Sequence, residues 1–359
     1  MKRYGNIFEK IYDMDNLYLA HKNARKGKTY YKEVQMVDSN PEYYLSQIQD
    51  MLKNKTYRVS EYDVSIINDK GKDRELMKLP YYPDRIIQWA IMLQIDTIFM
   101  NTFCTHSCAS VYGRGIHRAS RLVTKYLKDK ENTKYCLKLD IKKYYPNVNH
   151  QILKELLRKK FKDNDLLELL DMIIDSYPKE KGIPIGSYLS QYFANYYLTY
   201  FDHWLKEDKC IKYVVRYMDD IVIFYKSKSY LHTLIRDISN YLETNLDLKV
   251  KENWQVFPVD IRGVDFVGYR HFRNYKLLRK TTCKRFKNSM KNIHNKCNNN
   301  KLMNYSEWCS VNSYNGWLNF CNGFRLSNKY IFPIQFHADK YYNEVILNKT
   351  KITYKAKGC

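Results

Sequence analysis

Apolar positions in the first hundred residues recur mostly at helical spacing. After Pro41, the residues Leu45, Ile48 and Leu52 fall on one face and predict an amphipathic helix. Residues 86–100, IIQWAIMLQIDTIFM, are almost all apolar and predict a buried helix. Residues 1–58 are otherwise polar and favour helices. Further helices are predicted at Gly115–Asp129, Gln151–Phe161, Asp165–Ile174, Ser187–Leu205 and Tyr230–Leu246, with a helical lobe at Asn304–Leu326.

Shorter apolar runs rich in β-branched and aromatic residues predict strands. Val59–Ile67 and Met77–Pro80 flank a charged turn and predict a hairpin that carries Lys72 and Arg74. Other strands are predicted at Tyr135–Asp140, which ends in an acid, and at Lys249–Gln255 and Val264–Phe272.

Two adjacent carboxylates interrupt the apolar stretch Tyr213–Tyr225. The sequence predicts a tight hairpin with Asp219 and Asp220 at its tip, although no Asn-Gly or Asp-Gly supplies the usual turn chemistry. Adjacent carboxylates repel each other unless a cation lies between them, and Mg²⁺ takes oxygen ligands of this kind. A solvated tip with two acids is the alternative.

Charge narrows the choice of partner. Lys and Arg number 61 against 38 Asp and Glu, a formal charge of +23, which favours nucleic acid first and an anionic membrane second. Between Asp265 and Glu307 there are 11 basic residues and no acid, interleaved with aromatic residues that suit contact with a nucleic-acid backbone.

No transmembrane run and no signal peptide are predicted, so we expect a cytoplasmic protein without a membrane partner. Nine cysteines without framework spacing favour reduced thiols.

Five short motifs follow one another along the chain. LDIKKYYPNV (139–148), GIPIGSYLSQYFANYYL (182–198) and YMDD (217–220) resemble the palm motifs of reverse transcriptases, in the family's order. KDREL (72–76) resembles their fingers motif, and VDFVGYRHF (264–272) resembles the region that grips the primer end. YMDD alone is a weak signal, but its order with the other motifs is very specific. The resemblance covers roughly residues 55–330.

The resemblance implies an α+β right-hand polymerase with an antiparallel palm sheet and a helical thumb. The implied regions are an N-terminal helical extension (1–54), fingers (55–134), palm (135–272) with a fingers insertion at about 150–181, a basic helical thumb (273–345) and a basic tail (346–359).

The resemblance also implies roles for individual residues. Two Mg²⁺ ions, for which Mn²⁺ can substitute, are expected on the catalytic acids Asp140, Asp219 and Asp220 and on the backbone carbonyl of Ile141. The expected nucleotide contacts, among which Tyr145 excludes a 2′-hydroxyl, are Lys72, Arg74, Tyr144, Tyr145, Ile185, Gly186, Ser190 and Gln191. The expected primer and nucleic-acid contacts are Tyr217, Met218, Gly268, Tyr269, Arg270, Lys284 and Arg285. The implied partners are template RNA, a primer and deoxynucleoside triphosphates.

One loop departs from the common family pattern. Most reverse transcriptases have Gln-Gly-x-x-x-Ser-Pro here, whereas this chain has Ile185-Gly-Ser-Tyr-Leu-Ser-Gln191. That pattern, together with residues 313–326, is similar to enzymes of diversity-generating retroelements. Such enzymes make error-prone cDNA, and the likeness implies a small accessory protein. An aliphatic side chain in place of the glutamine amide removes a directional hydrogen bond to the base or sugar. Loss of such a contact relaxes discrimination between nucleotides by about 1–3 kcal/mol.

Three further interpretations stay open from the sequence besides the diversity-generating type. One is a group II intron-like or retron-like reverse transcriptase, which shares parts of the pattern. Another is a defence-associated antiviral enzyme, including a protein-primed or untemplated polymerase. A nucleic-acid-binding protein without catalysis on the same scaffold is also compatible with the charge, although the intact acids disfavour it.

Overall fold

The computed structural model describes residues 2–69, 71–299 and 301–347, and it describes the backbone but not the side chains of Asp69 and Lys72. The predicted basic tail therefore lies almost wholly outside the described residues. Strands are β1 Asp63–Asp69, β2 Lys72–Lys78, β3 Tyr135–Asp140, β4 Tyr213–Tyr217, β5 Asp220–Tyr225, β6 Gln255–Pro258, β7 Val264–Phe266, β8 Tyr269–His271 and β9 Lys276–Leu278.

Helices account for most of the remaining structure. They are α1 Phe8–Ile11, α2 Met14–Ala24, α3 Lys32–Ser39, α4 Pro41–Lys53, α5 Ile86–Met100, α6 Ile116–Tyr126, α7 His150–Lys160, α8 Asn164–Asp175, α9 Tyr188–Tyr197, α10 Thr199–Glu207, α11 Lys228–Leu246, α12 Val259–Arg262, α13 Lys280–Asn298, α14 Tyr305–Asn319, α15 Phe324–Tyr330 and α16 Phe332–Tyr341.

The chain forms two compact units. The first contains Met1–Gly115, Leu137–Ile223 and Lys228–Val256, and the second contains Ile116–Cys136, Phe224–Ser227 and the described residues from Phe257 on. Among the described residues, no helix combines the length and apolar character needed to cross a bilayer.

The first unit is built around α5. Its nearly continuous apolar sequence is buried, as predicted, and packs against α2 and α9. Side-chain caps begin several helices of this unit: Asp13, Asn40, Asn149, Asp163 and Ser187 each accept a bond from a free backbone N–H of the first turn.

A four-stranded sheet has the strand order β4-β5-β3-β6. Its strands are largely apolar and buried, with burial interrupted mainly at their ends. This order brings the acid at the end of β3 beside the β4–β5 turn.

A two-stranded antiparallel ribbon, β1–β2, forms the predicted charged hairpin. Its first strand begins at Asp63 rather than at the predicted Val59.

The second unit contains an antiparallel sheet of order β7-β8-β9 and four helices, α13 to α16, that share one core. Phe286, Met290, Val311 and Ile334 are buried in that core. Helix α14 begins with a capping box, in which Asn304 and Glu307 each accept from the other's backbone N–H.

Three sequence predictions about elements were wrong. Lys249–Gln255 is not a strand: Val250 makes an isolated bridge with Ile141, the chain then turns at 252–253, and β6 begins only at Gln255. Val264–Phe272 is a hairpin rather than one strand, because Val267 and Gly268 both have positive φ. Ser187–Leu205 is two helices that meet at Leu198.

Candidate active site

The β4–β5 turn consists of only Met218 and Asp219. Met218 has a φ of +54°, and a positive φ at the first loop residue alone is the pattern of a type II′ turn, where glycine is usual. A non-glycine residue in this region costs on the order of 1–3 kcal/mol and persists only where its surroundings fix it. The tip therefore has an unfavourable local conformation that tertiary contacts must support.

The carboxyls of Asp140 and Asp219 lie together. Asp140 ends β3, Asp219 stands in the turn, and the N–H of Ile141 donates to the carbonyl oxygen of Asp219 at 3.2 Å. Burial, the nearby charge of Asp140 and a hydrogen bond with that carboxyl raise the pKa of Asp219. Two carboxylates in a partly buried place repel each other, so this pair favours a bound cation.

Lys251 provides one cationic contact. Its ammonium forms a short ion pair with Asp140 Oδ1, and both side chains are about one-third exposed. The N–H of Lys251 also donates to the carbonyl oxygen of Asp140 at 2.8 Å. No sequence motif pointed to this lysine, which lies 111 residues further along the chain.

Asp220 begins β5 directly after the turn. Its Oδ1 lies 3.9 Å from Lys138 Nζ. In the part of the chain that the structure describes, no group of three His, Cys, Asp or Glu side chains is arranged to hold a metal ion. The oxygens of Asp140 and Asp219 fit Mg²⁺ by donor type, and the Lys251 ammonium shows that Asp140 binds a positive charge. The role of Asp220 stays a prediction.

The two predicted tyrosines differ in position. Tyr145 begins a short 3₁₀ turn and is half-buried; burial and the charge of Asp219 raise its pKa to about 12. Its hydroxyl lies 4.0 Å from Met218 Sδ, so it borders the turn. Tyr144 is 2% exposed, and its hydroxyl donates to the carbonyl oxygen of Ala194. A direct nucleotide contact by Tyr144 is therefore corrected to a supporting position in the core.

Gly186 lies where the 185–186 loop passes β2. A Cβ there would lie 3.0 Å from both Leu76 Cδ1 and the Met77 carbonyl oxygen. The N–H of Met77 donates to the carbonyl oxygen of Ile185 at 2.9 Å. Gly186, with φ of +120°, thus lets the loop pass close to β2.

Other predicted nucleotide contacts vary in exposure. Ser190 is 3% exposed, whereas Gln191 and Arg74 are exposed and Ile185 is half-buried. The side chain of Lys72 lies outside the described part of the chain.

The predicted primer contacts in the second unit also divide by exposure. Tyr269 is buried and stacks on Trp317 with ring centres 5.1 Å apart, so it belongs to the core rather than to a binding surface. A Cβ on Gly268 would lie 2.4 Å from Trp317 Cζ3. The exposed members of the predicted set are Arg270, Lys284 and Arg285. In the first unit, Tyr217 and Met218 are half-buried.

Sequence reasoning missed Arg216. Its side chain is fully buried and donates to the carbonyl oxygen of Met218 in the turn at 3.1 Å. The signal was present, since one arginine interrupts the apolar run Val214-Val215-Arg216 just before the acids.

Comparison with known proteins places these features in a family. Residues 66–271 match the family model described as "Reverse transcriptase (RNA-dependent DNA polymerase)". That segment is more than half of the chain, and it contains β2, β3, the β4–β5 turn and the 185–186 loop.

Curated relatives align at low identity. The chain is 22% identical over 253 residues to the "Putative COX1/OXI3 intron 2 protein" of Saccharomyces cerevisiae, covering 52% of this chain and 29% of that protein. It is 24% identical to "Protein YkfC" of Escherichia coli, covering 58% and 66%. It is 28% identical to "Nuclear intron maturase 4, mitochondrial" of Arabidopsis thaliana, covering 47% and 22%. The chain thus spans between about one-fifth and two-thirds of these relatives.

Two solved telomerase structures align with part of this chain. The telomerase of Candida albicans, in complex with a TWJ fragment of telomeric RNA, gives a TM-score of 0.47 at 12% identity over 70% of this chain and 55% of that one. The apo telomerase of Candida tropicalis gives 0.45 at 14% identity over 64% and 58%.

Proposed function

We propose that this chain, which belongs to the reverse transcriptase family and has its right-hand α+β polymerase fold, adds deoxynucleotides to a primer 3′ end on an RNA template. The observation that carries the proposal is the pairing of Asp140 with Asp219, inside the matched segment, with the pKa of Asp219 raised. Template RNA, primer and deoxynucleoside triphosphates are the proposed partners.

The two carboxylates and the carbonyl of Ile141 would hold two Mg²⁺ ions, or Mn²⁺ in their place. Such a pair of ions, when bound, activates the attacking oxygen and stabilises the leaving one. Asp140 and Asp219 would be fixed for this task by the sheet and by the Ile141 N–H bond to the Asp219 carbonyl. Lys251 forms an ion pair with the carboxylate of Asp140.

The surrounding residues would orient the incoming nucleotide. We propose that the ring of Tyr145 lies under the sugar and excludes a 2′-hydroxyl, and that Arg74 and Lys72 bind the triphosphate. Arginine suits this because its guanidinium binds phosphate oxygens in a bidentate manner. The bond between Met77 and Ile185 would keep the β1–β2 ribbon at a fixed distance from the 185–186 loop.

Within the family, we propose error-prone cDNA synthesis of the diversity-generating type, with a small accessory protein. The support is the aliphatic Ile185 in a loop where most reverse transcriptases have glutamine. A group II intron-type enzyme is the second candidate, because relatives named as an intron maturase and as intron proteins align with this chain. The primer-extension experiment described next also tests for defence-associated and retron-like enzymes.

Primer extension on an RNA template in Mg²⁺, followed by sequencing of the products, tests both levels of the proposal. Asp219→Asn should abolish synthesis and keep RNA binding, whereas Asp208→Asn, an exposed acid just after α10, should retain both. Errors concentrated opposite adenine support the diversity-generating type. Faithful copying favours an intron-type, retron-like or defence-associated enzyme.

If the isolated protein makes no DNA, it would be assayed again with its accessory protein and native RNA. No DNA synthesis under those conditions, or RNA binding without any synthesis, would contradict the polymerase assignment and favour a binding protein.

A further inference from the structure

Arg216 is a charge in the interior of the first unit. It lies in β4 between Val215 and Tyr217. Its side chain is fully buried and is among the largest fully buried side chains in the described part of the chain. Burying an unpaired charge costs several kcal/mol, so a guanidinium in this position requires a complete set of partners.

The guanidinium has such a set. Nε and Nη2 donate to the two carboxylate oxygens of Asp202 at 2.8 and 2.5 Å. Nη2 also donates to Ser107 Oγ at 2.9 Å, and Nη1 donates to Asn195 Oδ1 at 3.3 Å. Nη1 makes a further bond at 3.1 Å to the carbonyl oxygen of Met218. These bonds match the five N–H donors of an arginine.

The bond to Met218 acts on the peptide group that Met218 shares with Asp219. Its carbonyl oxygen belongs to Met218, and its N–H belongs to Asp219. The next peptide group is also held, because the Ile141 N–H donates to the carbonyl oxygen of Asp219. Both peptide planes that flank the Asp219 Cα are therefore fixed, one by Arg216 and one by the residue that follows β3.

The same bond explains how the turn keeps its conformation. Met218 has the positive φ that a β-hairpin of this length requires and that a methionine adopts only at a cost. The Arg216 donor reaches the carbonyl that this conformation turns inward. Without the Arg216 donor, the Met218 carbonyl loses the bond that holds it in this orientation. The backbone of Asp219, and with it the position of the Asp219 carboxylate, is then less fixed.

Net stabilisation is a weak explanation for the buried pair. Replacing a buried ion pair with uncharged residues of similar size is often neutral or stabilising. Although burial opposes ionisation, Arg216 and His106 hold the pKa of Asp202 at about 2, so the pair is charged throughout the physiological range. The Arg216–Asp202 pair is better explained by its geometry, which fixes the direction of the hydrogen bond from Arg216 to the Met218 carbonyl oxygen.

We propose that Arg216 is a positioning residue that holds the Met218–Asp219 peptide, and thereby aims the Asp219 carboxylate at the metal ions. Asp202 orients Arg216 in turn. The inference rests on the proposed function for its catalytic consequence, but its structural part, the fixing of a metal ligand, can be measured without any activity.

The decisive variant combines Arg216→Met with Asp202→Asn. It removes both charges together, so no unpaired charge stays buried, and it also removes the donor to Met218. We expect a melting temperature near that of the wild type in metal-free buffer. We expect Mn²⁺ affinity, measured by electron paramagnetic resonance of the free ion, to fall about 10-fold, and kcat to fall about 10²-fold with the KM for nucleotide nearly unchanged.

Arg216→Lys gives an independent test that keeps the charge beside Asp202. A single ammonium cannot bind both Asp202 oxygens and also reach Met218 in the same fixed geometry. It should fold, lower Mn²⁺ affinity and lower kcat. It decides the question by the same two measurements if the double variant does not fold.

Ser107→Ala is the matched control, since it removes another acceptor of the same guanidinium without touching the turn. It should keep Mn²⁺ affinity and kcat within about 2-fold of the wild type. Losses equal to those of Arg216→Lys would overturn the proposal, because they would show a general loosening of the cluster.

Unchanged Mn²⁺ affinity and kcat in the folded Arg216 variants would also overturn it, as would a raised KM with unchanged kcat. Failure of the wild type to synthesise DNA would contradict the proposed function instead. The Mn²⁺ measurement would still decide whether Arg216 positions Asp219.

Discussion

Among the single residues beside the β4–β5 turn, Tyr145 provides a direct test of the proposed nucleotide choice. We expect Tyr145→Ala to admit ribonucleotides and to reduce discrimination against them by about 10²-fold, because it removes the side chain that we propose excludes the 2′-hydroxyl. Single-nucleotide addition with each dNTP and the matching NTP measures this ratio.

Tyr145→Phe is the control for that experiment. It keeps the ring and removes only the hydroxyl that lies near Met218 Sδ, so discrimination should stay close to that of the wild type. A Tyr145→Ala enzyme that still rejects ribonucleotides would contradict the assignment.

The sequence was a good guide to residues whose type is tied to chemistry and a poor one to residues defined by their neighbours. The proximity of Asp140 and Asp219 could be predicted, since both acids lie in motifs that resemble the palm of reverse transcriptases, while their roles stay predictions. The bonds of Arg216 could not, because their acceptors include Ser107, Asn195 and Asp202, which only the folded chain brings together. Tyr144 and Tyr145 are adjacent and chemically identical, so only burial tells them apart.

Among the elements, the contact between β2 and the 185–186 loop is tested by Gly186→Ala. The added Cβ would press on the Met77 carbonyl, and alanine is strained at a φ of +120°. We expect the free energy of unfolding to fall by about 1–3 kcal/mol. Urea unfolding measures that loss.

Gly316→Ala is a suitable control because a Cβ there meets nothing within 4 Å. It should leave the free energy of unfolding unchanged or slightly higher. Equal stability of Gly186→Ala and the wild type would contradict the described packing.

The contact of β8 with α6 depends on a neutral histidine. His271 lies between Ser120 Oγ, 2.8 Å from its Nε2, and the Val264 carbonyl oxygen, 3.2 Å from its Nδ1, and burial lowers its pKa to about 4. The unfolded chain takes up a proton near pH 6.5, whereas the folded chain does so only near pH 4. Stability is therefore lost as the pH falls through this window.

We expect His271 to account for about 2 kcal/mol of stability lost between pH 7 and pH 5. His271→Asn should show a correspondingly smaller loss when urea unfolding is followed at the two pH values. The same pH dependence in the variant and the wild type would show that His271 titrates normally in the folded state.

Element predictions succeeded where pattern alone decides and failed where backbone geometry intervenes. The continuous apolar run of α5 could only be a buried helix or strand, and its length favours the helix. The 264–272 hairpin was predicted as one strand because Val267 gives no sign of its positive φ, although Gly268 offered a hint. At 249–255, the turn at 252–253 outweighed the weak strand preference of a mostly polar segment.

For the whole molecule, the net charge of +23 predicts that the affinity for RNA depends strongly on the salt concentration. Lys284 and Arg285 are exposed on α13, and we expect Lys284→Ala with Arg285→Ala to weaken RNA binding and to reduce the salt slope by about 1–2. Fluorescence anisotropy over a range of salt concentrations measures both.

Lys10→Ala with Lys22→Ala makes the same change in net charge at exposed positions of the first unit. This pair should alter RNA affinity much less. Equal effects of the two pairs would mean that total charge, and not the α13 surface, controls binding.

The fold class could be predicted for the molecule as a whole because five motifs occur in family order, and the family match confirms it. The predicted boundaries of fingers, palm and thumb stay predictions. Ile116–Cys136 packs into one compact unit with the C-terminal residues, a long-range association that no local pattern encodes.

We propose that Asp219 is needed for DNA synthesis and not for RNA binding. The most direct measurement is the rate of single-deoxynucleotide addition to a primer on RNA template, with the RNA dissociation constant determined on the same samples. We predict that Asp219→Asn loses about 10³-fold or more in rate and keeps its RNA affinity, while Asp208→Asn keeps both. An Asp219→Asn enzyme that adds nucleotides at the wild-type rate would contradict the proposed role of Asp219.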